Sequence, residues 1–136
     1  MNPVVVDSSV AFKWFHPSNE QRVDEANALL YGHETGSILL AAPINLHEEL
    51  ANALRYSSLP RDEVMEIVEG LDEWRIKLFE PTPSRLTSAT ALAYQHNVSV
   101  YDALFLALAE ELQCPLVTAD RRAFAGIETE VDIRLL

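Results

Sequence analysis

The chain has 136 residues, of which 49% are apolar, so a single domain over residues 1–136 with its own core is expected and intrinsic disorder is not. Ten basic against 21 acidic residues give a net charge of −11, which argues against a simple nucleic-acid binder and suits a protein that binds divalent cations or a basic partner. A lone cysteine excludes an internal disulfide, and no signal peptide or membrane-length apolar run is found, so a cytoplasmic protein with no membrane association is expected.

Five short segments have the pattern of β-strands. The segment around Val117 is apolar and rich in β-formers, which is typical of a strand inside a parallel sheet. The predicted strands are residues 3–6, 37–41, 75–79, 116–118 and 131–135.

Between these strands, apolar residues recur at the three- and four-residue spacing of helices. The first helical turn follows Asp7 and is expected to be capped by Ser8 or Ser9. From Ala103 to Ala109 every residue is apolar, so the helix that holds them belongs inside the domain. Strands that alternate with helices predict an α/β fold, with a mainly parallel sheet and helices on both faces. The other predicted helices are residues 20–32, 46–57, 61–71 and 84–95, with a short helical turn through Phe124.

Four acidic residues stand where an α/β fold forms ligand sites, at or near the carboxyl ends of strands. Asp7 and Asp120 each follow a predicted strand. Asp102 opens the buried helix, and Glu49 flanks the apolar stripe of its own helix. Two unit charges about 4 Å apart repel by about 4 kcal/mol at an effective dielectric constant of about 20, so such a cluster requires bound cations or raised pKa values. Oxygen-only ligands favour Mg²⁺ or Mn²⁺.

Each acid also has a purely structural interpretation. Asp102 and Asp120 suit helix N-caps, and Asp7 suits the first position of a turn. Glu49 is a good helix former and would be at home on a solvated face. Glu48 is the alternative to Glu49, but it is turned about 100° further, onto the side opposite the apolar stripe. Helical phase therefore favours Glu49 for the site.

Other catalytic and metal-binding motifs are incomplete. His47 and Glu48 begin a zinc-protease pattern, but Ala51 stands where the second histidine is required. The four histidines share no ligand spacing, and one cysteine cannot complete a structural zinc site. There is no GxSxG segment or glycine-rich phosphate loop, and Ser8 and Ser9 are expected to be caps rather than nucleophiles.

Three segments carry most of these features: VVVDSSVAFKWF at 4–15, INLHEELANALR at 44–55 and VSVYDALFLALAEELQCPLVTADRRAF at 98–124. Together they resemble the PIN-domain ribonucleases, and specifically the VapC-type toxins of bacterial and archaeal toxin–antitoxin pairs. They occur in the family's order, and the length of the family's domain fits the whole chain. The third segment is the most specific, whereas residues 16–43 and 56–97 share only the helical pattern.

The resemblance implies a metal-dependent endoribonuclease on a three-layer α/β/α sandwich, with Mg²⁺ or Mn²⁺ as its cofactor. Asp7 matches the family's first acid, at the end of the opening strand, and Glu49 matches the acid of an E-x-x-N-A-L-like helix. Asp102 matches the acid of a Y-D-A segment, and Asp120 that of a T-x-D segment. These four residues would hold the metal and carry the catalysis.

The resemblance also implies accessory residues and partners. Ser9 and Thr118 match hydroxyl positions that orient ligands or water. The expected partners are an RNA substrate, a cognate antitoxin that covers the site and inserts an Arg among the acids, and a second copy in a homodimer. The helices at 20–30 and 61–74 offer contacts for the dimer, although core packing explains their apolar residues as well. The residues expected to hold flanking RNA phosphates, or else to be ordinary surface charges, are Lys13, Arg55, Arg121 and Arg122.

Two other functions stay open on the sequence alone. A non-catalytic binding module could keep the PIN fold, but such a module has no need of four acids. A metal-dependent DNA or flap nuclease of the same superfamily would need added clamp elements, for which the chain has little room.

Overall fold

The structure, a computed structural model, describes residues 2–136 and has a five-stranded sheet at its centre. The strands stand in the order β3-β2-β1-β4-β5, and all four neighbouring pairs are parallel. The predicted mainly parallel sheet is therefore confirmed. The strands are β1 (Asn2–Val6), β2 (Ile38–Pro43), β3 (Lys77–Phe79), β4 (Leu116–Thr118) and β5 (Ile133–Leu135).

Helices connect the strands, and a 3₁₀ turn at Leu71–Trp74 follows the fourth helix. Within residues 2–136, no helix combines the length and the apolar character that crossing a membrane requires. The helices are α1 (Ser8–Phe15), α2 (Val23–Thr35), α3 (Asn45–Arg55), α4 (Arg61–Glu69), α5 (Pro83–His96), α6 (Val100–Leu112) and α7 (Arg121–Phe124).

The sheet buries both of its faces, because successive side chains of a strand point to opposite sides. On one face, Val5 of β1 belongs to a core cluster with residues of α3 and α6. On the other face, Val4 and Val6 belong to a cluster with Val10 of α1 and Ala26 of α2. The molecule is thus an α/β sandwich of helix, sheet and helix layers, as predicted.

Helix α6 is the most deeply buried helix of this sandwich. All seven residues from Ala103 to Ala109 are buried, as their unbroken apolar run predicts. One side of α6 faces the sheet through Phe105 and Leu106, and α5 covers another side through small residues such as Ala89. Because α6 is held on two sides, its first turn has a fixed position at the edge of the sheet.

The strand order defines where a ligand site should form. From β1 the chain adds β2 and β3 on one side, and later adds β4 and β5 on the other side. The connections therefore leave β1 and β4 in opposite directions, and the crevice beyond their carboxyl ends is the usual ligand site of such sheets. Asp7 directly follows β1, and Asp120 lies two residues beyond β4.

Helix α2 differs from its predicted bounds, since it runs from Val23 to Thr35 rather than over residues 20–32. Gly32, expected to end the helix, is buried inside it, and a Cβ there would lie 3.1 Å from Ser37 Oγ. The glycine therefore allows close packing of the helix on the chain that enters β2. The helix ends instead at Gly36, whose φ of 84° reverses the chain.

Candidate active site

Asp7 is a buried carboxylate that begins helix α1. Its Oδ1 accepts hydrogen bonds from the Ser9 and Val10 amides at 3.1 and 3.4 Å, so Asp7 is the N-cap, and the expectation that Ser8 or Ser9 caps this helix is wrong. The side chain is only 6% exposed. Burial raises its pKa to about 6, against the hydrogen bonds from Ser9, Thr118 and Val10, which lower it.

Two hydroxyl groups tie Asp7 to the end of β4. Ser9 Oγ donates to Asp7 Oδ1 at 2.5 Å and accepts from the Ala119 amide at 2.8 Å. Thr118 Oγ1 donates to Asp7 Oδ2 at 2.5 Å and accepts from the Asp120 amide at 3.0 Å. Ser9 and Thr118, the predicted accessory residues, thus connect the first acid of the site to the backbone that carries the last one.

Glu49, rather than Glu48, faces the site. Glu49 is half-buried in α3, whereas Glu48 is exposed, as helical phase predicts. Ser8 Oγ donates to Glu49 Oε1 at 3.2 Å, and the Asn45 side-chain amide donates to Oε2. Burial is the main cause that raises the pKa of Glu49.

Ser8 and Asn45 are site residues that the sequence did not reveal. Asn45 has a local signal, because it lies four residues before Glu49 and so on the same side of α3. Ser8 has none, since its bond to Glu49 joins residues 41 positions apart.

Asp102 and Asp120 complete the acidic set from two helix starts. Ser99, not Asp102, caps α6 by accepting from the Asp102 amide at 3.0 Å, so the Asp102 carboxylate is not used as a cap. Asp120 does cap α7, where Oδ1 accepts from the Ala123 amide at 3.1 Å. Its structural and functional interpretations are therefore compatible, because one carboxylate oxygen is occupied and the other has no protein partner within residues 2–136.

The carboxylates of Asp7, Glu49, Asp102 and Asp120 repel one another in a cycle of four pairs, and we call this set the carboxylate ring. Burial is the main cause that raises the pKa of Asp7 and of Asp102, and the negative charge of Asp120 raises both further. The negative charges of Asp102 and Asp7 likewise add to the effect of burial on the pKa of Glu49. Each acid is thus within electrostatic range of two others, so all four predicted residues lie in the same region, near the carboxyl ends of β1 and β4.

The donor set of this ring fits a hard divalent cation. A cation would offset the repulsion among these carboxylates, which adds to the effect of burial on the pKa of Asp7, Glu49 and Asp102, and all the donors are oxygens, as Mg²⁺ or Mn²⁺ prefers. Among residues 2–136, no three His, Cys, Asp or Glu side chains lie close enough to hold one ion together. Because Mg²⁺ usually keeps several waters and takes only one or two carboxylates, the arrangement suits a hydrated ion.

Replacing Thr118 with Val is expected to destabilise the fold by about 1–3 kcal/mol, because the partly buried Asp120 amide and the buried Asp7 carboxylate each lose a partner. The variant also removes a hydrogen bond that lowers the pKa of Asp7. Since a raised pKa makes the folded state lose stability as pH rises, this loss should extend to higher pH in the variant. Urea titrations in EDTA at several pH values would measure both effects. Thr118→Ser keeps the hydroxyl, and a Ser variant as unstable as the Val variant would contradict the prediction.

The basic residues expected to bind RNA occupy two kinds of position. Arg55, Arg121 and Arg122 are exposed, and none of them has a carboxylate within 4 Å in residues 2–136. Lys13 differs from the expectation of a surface cation. It is only 4% exposed, and its Nζ donates to Glu20 Oε1 at 3.0 Å and to the Gln21 carbonyl at 2.6 Å. The ammonium of Lys13 therefore holds the loop after α1 and is not free for a phosphate.

Comparisons with known proteins place the chain in a family. It is 34% identical over 121 residues to Ribonuclease VapC3 of Pyrobaculum aerophilum, covering 88% of this chain and 90% of that protein. It is 37% identical over 99 residues to Ribonuclease VapC1 of Mycobacterium tuberculosis, covering 70% and 73%. Its fold matches VapBC2 from Rickettsia felis, solved bound to a promoter DNA fragment, with a TM-score of 0.68 at 11% identity over 98% of both chains. The PIN domain matches residues 4–129, and the chain accordingly belongs to the PIN domain family.

Proposed function

We propose that this protein is a Mg²⁺- or Mn²⁺-dependent endoribonuclease and the toxin of a toxin–antitoxin pair. The proposal rests on the placement of four acids near the carboxyl ends of β1 and β4, with hydroxyl and amide groups that orient Asp7 and Glu49. Asp7 is buried and the other three acids are partly buried, and like charges placed together in this way are costly to keep and are not needed for the stability of a fold. The similarity to two VapC ribonucleases supports RNA as the substrate.

In this proposal, Asp7, Glu49, Asp102 and Asp120 hold the metal, directly or through water. A divalent cation in such a site lowers the pKa of the attacking water and offsets charge on the scissile phosphate. The carboxylate of Asp7 is the most firmly held of the four, because four donor groups from Ser9, Val10 and Thr118 bond to it and it is buried.

The remaining polar groups position these acids. Ser8 and Asn45 orient both oxygens of Glu49, so that its carboxylate cannot rotate freely. Ser9 and Thr118 keep Asp7 at a fixed distance from the backbone of Asp120. Positioned groups of this kind reduce the reorganisation that the reaction requires.

The net charge of −11 is compatible with RNA binding when the cations are placed locally. The four acids would hold a cation that neutralises phosphate charge, while Arg55, Arg121 and Arg122 supply exposed guanidinium groups. Lys13 is left out of this set because Glu20 already neutralises it.

A cognate antitoxin and a second copy of the chain are the proposed protein partners. The ring of carboxylates offers a site for an Arg of the antitoxin, which would bind in place of the metal. The helices α2 and α4 expose Tyr31 (68%) and Met65 (44%), which are candidate contacts of a homodimer. Light scattering with Tyr31→Glu and Met65→Glu would test the dimer.

The test of the activity is cleavage of a mixed tRNA and rRNA pool by antitoxin-free protein. We expect discrete cuts with Mg²⁺ or Mn²⁺ and none with EDTA. Single-stranded and flap DNA in parallel reactions distinguish the DNA-nuclease alternative, which predicts cuts in those substrates and not in the RNA pool. A protein that cuts nothing while it binds its partner tightly and metal weakly would be the non-catalytic module, and the proposal would then be abandoned.

A further inference from the structure

His33 joins helix α2 to the edge of the sheet through both nitrogens of its ring. Nδ1 lies 3.0 Å from the amide nitrogen of Leu40 in β2, and Nε2 lies 2.9 Å from the carbonyl oxygen of Trp74 in the 3₁₀ turn. β3 begins only at Lys77, opposite Ala41, and so stops short of Leu40. The His33 ring therefore binds the Leu40 amide where β3 has not yet begun, and it links three segments: α2, β2 and the 3₁₀ turn.

These two bonds specify the protonation state of the ring. A backbone amide can only donate, so Nδ1 accepts from Leu40 and carries no proton. A carbonyl can only accept, so Nε2 carries the proton that it donates to Trp74. The His33 ring is therefore neutral, and a second proton on Nδ1 would set one N–H group against another.

The surroundings of the ring favour the opposite charge state. His33 lies in the last turn of α2, where the helix dipole stabilises a positive charge. Glu34 of α2 and Glu73 of the 3₁₀ turn line the same groove of about 350 Å³, and their carboxylates also favour a cation, whereas Arg75 opposes it. β2, which has no charged residue, adds apolar side chains to this groove. The bond from Leu40 thus holds the ring neutral against most of the charges around it.

We propose that His33 is a proton-sensitive link, which releases β2 from α2 and the 3₁₀ turn when its ring takes up a second proton. The charge of a histidine ordinarily changes between about pH 5 and pH 8, so mild acid is the signal. On protonation, the bond to the Trp74 carbonyl becomes charge-assisted and is kept, while the bond from Leu40 is lost. The end of α2 and the 3₁₀ turn then move together relative to the edge of the sheet. The inference does not depend on the proposed ribonuclease activity.

The test is nuclear magnetic resonance on the full chain, in EDTA, between about pH 8 and pH 5. At the upper end of this range, the ¹⁵N shifts of the His33 ring should show a protonated Nε2 and an unprotonated Nδ1. As the ring gains its second proton, the protection of the Leu40 amide from hydrogen exchange should fall roughly tenfold, because a partly buried donor loses its partner. The Val5 amide, which donates to the Pro115 carbonyl at 3.0 Å, reports on the rest of the sheet and should not follow this fall.

His33→Gln is the matched variant, since a Gln side chain offers an oxygen acceptor and an amide donor but takes up no proton in this range. The Leu40 amide of this variant should keep the same protection throughout the titration. His96→Gln is the control, because His96 is the last residue of α5, and the response should remain intact in it.

Three outcomes would overturn the inference: a proton on Nδ1 of the neutral ring, unchanged Leu40 protection once the ring is charged, or a fall of the same size in His33→Gln. Loss of the response in His96→Gln would assign the response to α5 and overturn the inference too. The first two outcomes are measured on the native protein, so the test holds even if His33→Gln does not fold.

Discussion

Asp7→Asn is expected to abolish RNA cleavage while it raises the free energy of unfolding at neutral pH. Asn is as good an N-cap as Asp, so the bonds from the Ser9 and Val10 amides can be kept. The amide cannot supply the negative charge that a cation requires. A change that removes function and adds stability is characteristic of a residue kept for its chemistry.

The direction of the pH effect follows from the raised pKa of Asp7. The carboxyl has an ordinary value of 3.8 and a folded value of about 6, which corresponds to about 3 kcal/mol between the protonation states. The stability that Asp7 contributes is therefore fully present below pH 3.8 and is lost as pH rises through 6. Asp7→Asn lacks this loss, so the gap between variant and native protein should open from pH 4 upward and level off near neutrality.

Urea denaturation in EDTA between about pH 4 and pH 8 would measure this gap, and the RNA pool assay would measure the activity. Asp24→Asn is the matched control, because Asp24 is an exposed acid in the first turn of α2. The control should retain cleavage and show no gain in stability. A melting temperature that collapsed in Asp7→Asn would instead make Asp7 a structural residue, and surviving cleavage would point to a contaminating nuclease.

Glu49→Gln is expected to reduce cleavage by roughly a hundredfold or more, whereas Glu48→Gln should leave it unchanged. The loss follows because a carboxylate at a metal site contributes several kcal/mol of charge stabilisation. The Gln side chain is almost the same size, and Ser8 can still donate to its oxygen. Since burial and neighbouring acids raise the pKa of Glu49, a neutral side chain should be tolerated by the fold.

The pair of variants separates chemistry from helix stability, because both remove one charge from the first half of α3. Rates at several Mg²⁺ concentrations would show whether Glu49→Gln weakens metal binding, since excess metal would then restore part of the rate. Equal losses in the two variants would mean that the net charge of α3, and not the Glu49 carboxylate, matters. A larger loss in Glu48→Gln would mean that the assignment by helical phase is wrong.

The sequence predicted the acids of the site because each has a local signature. Asp7 and Asp120 follow strands, and helical phase separates half-buried Glu49 from exposed Glu48. The parallel sheet could be predicted because apolar strands alternating with helices allow few other arrangements. The role of the four acids in metal binding stays a proposal, because position alone does not specify a ligand.

Contacts between distant segments could not be predicted in this way. Lys13 was expected at the surface because lysine is seldom buried, and nothing local indicates that Glu20 returns to pair with it. Ser8 was expected to be a cap, but its hydroxyl faces a helix that begins 37 residues later. Gly32 was expected to end a helix, although its role is set by the packing of Ser37 and Ile38.

The placement of β1 between β2 and β4 also determines when the site can assemble during synthesis. β1 and β2 can pair early, but the hydrogen bond from Thr118 to Asp7 joins residues 111 positions apart. A ribosome must therefore deliver the chain as far as Thr118 before the carboxylate ring closes, since contacts of such large sequence separation form late. A truncated product that ends before β4 would carry three of the four acids and still lack the centre. If the proposed activity requires all four acids, the topology would therefore leave incomplete copies of the protein inactive.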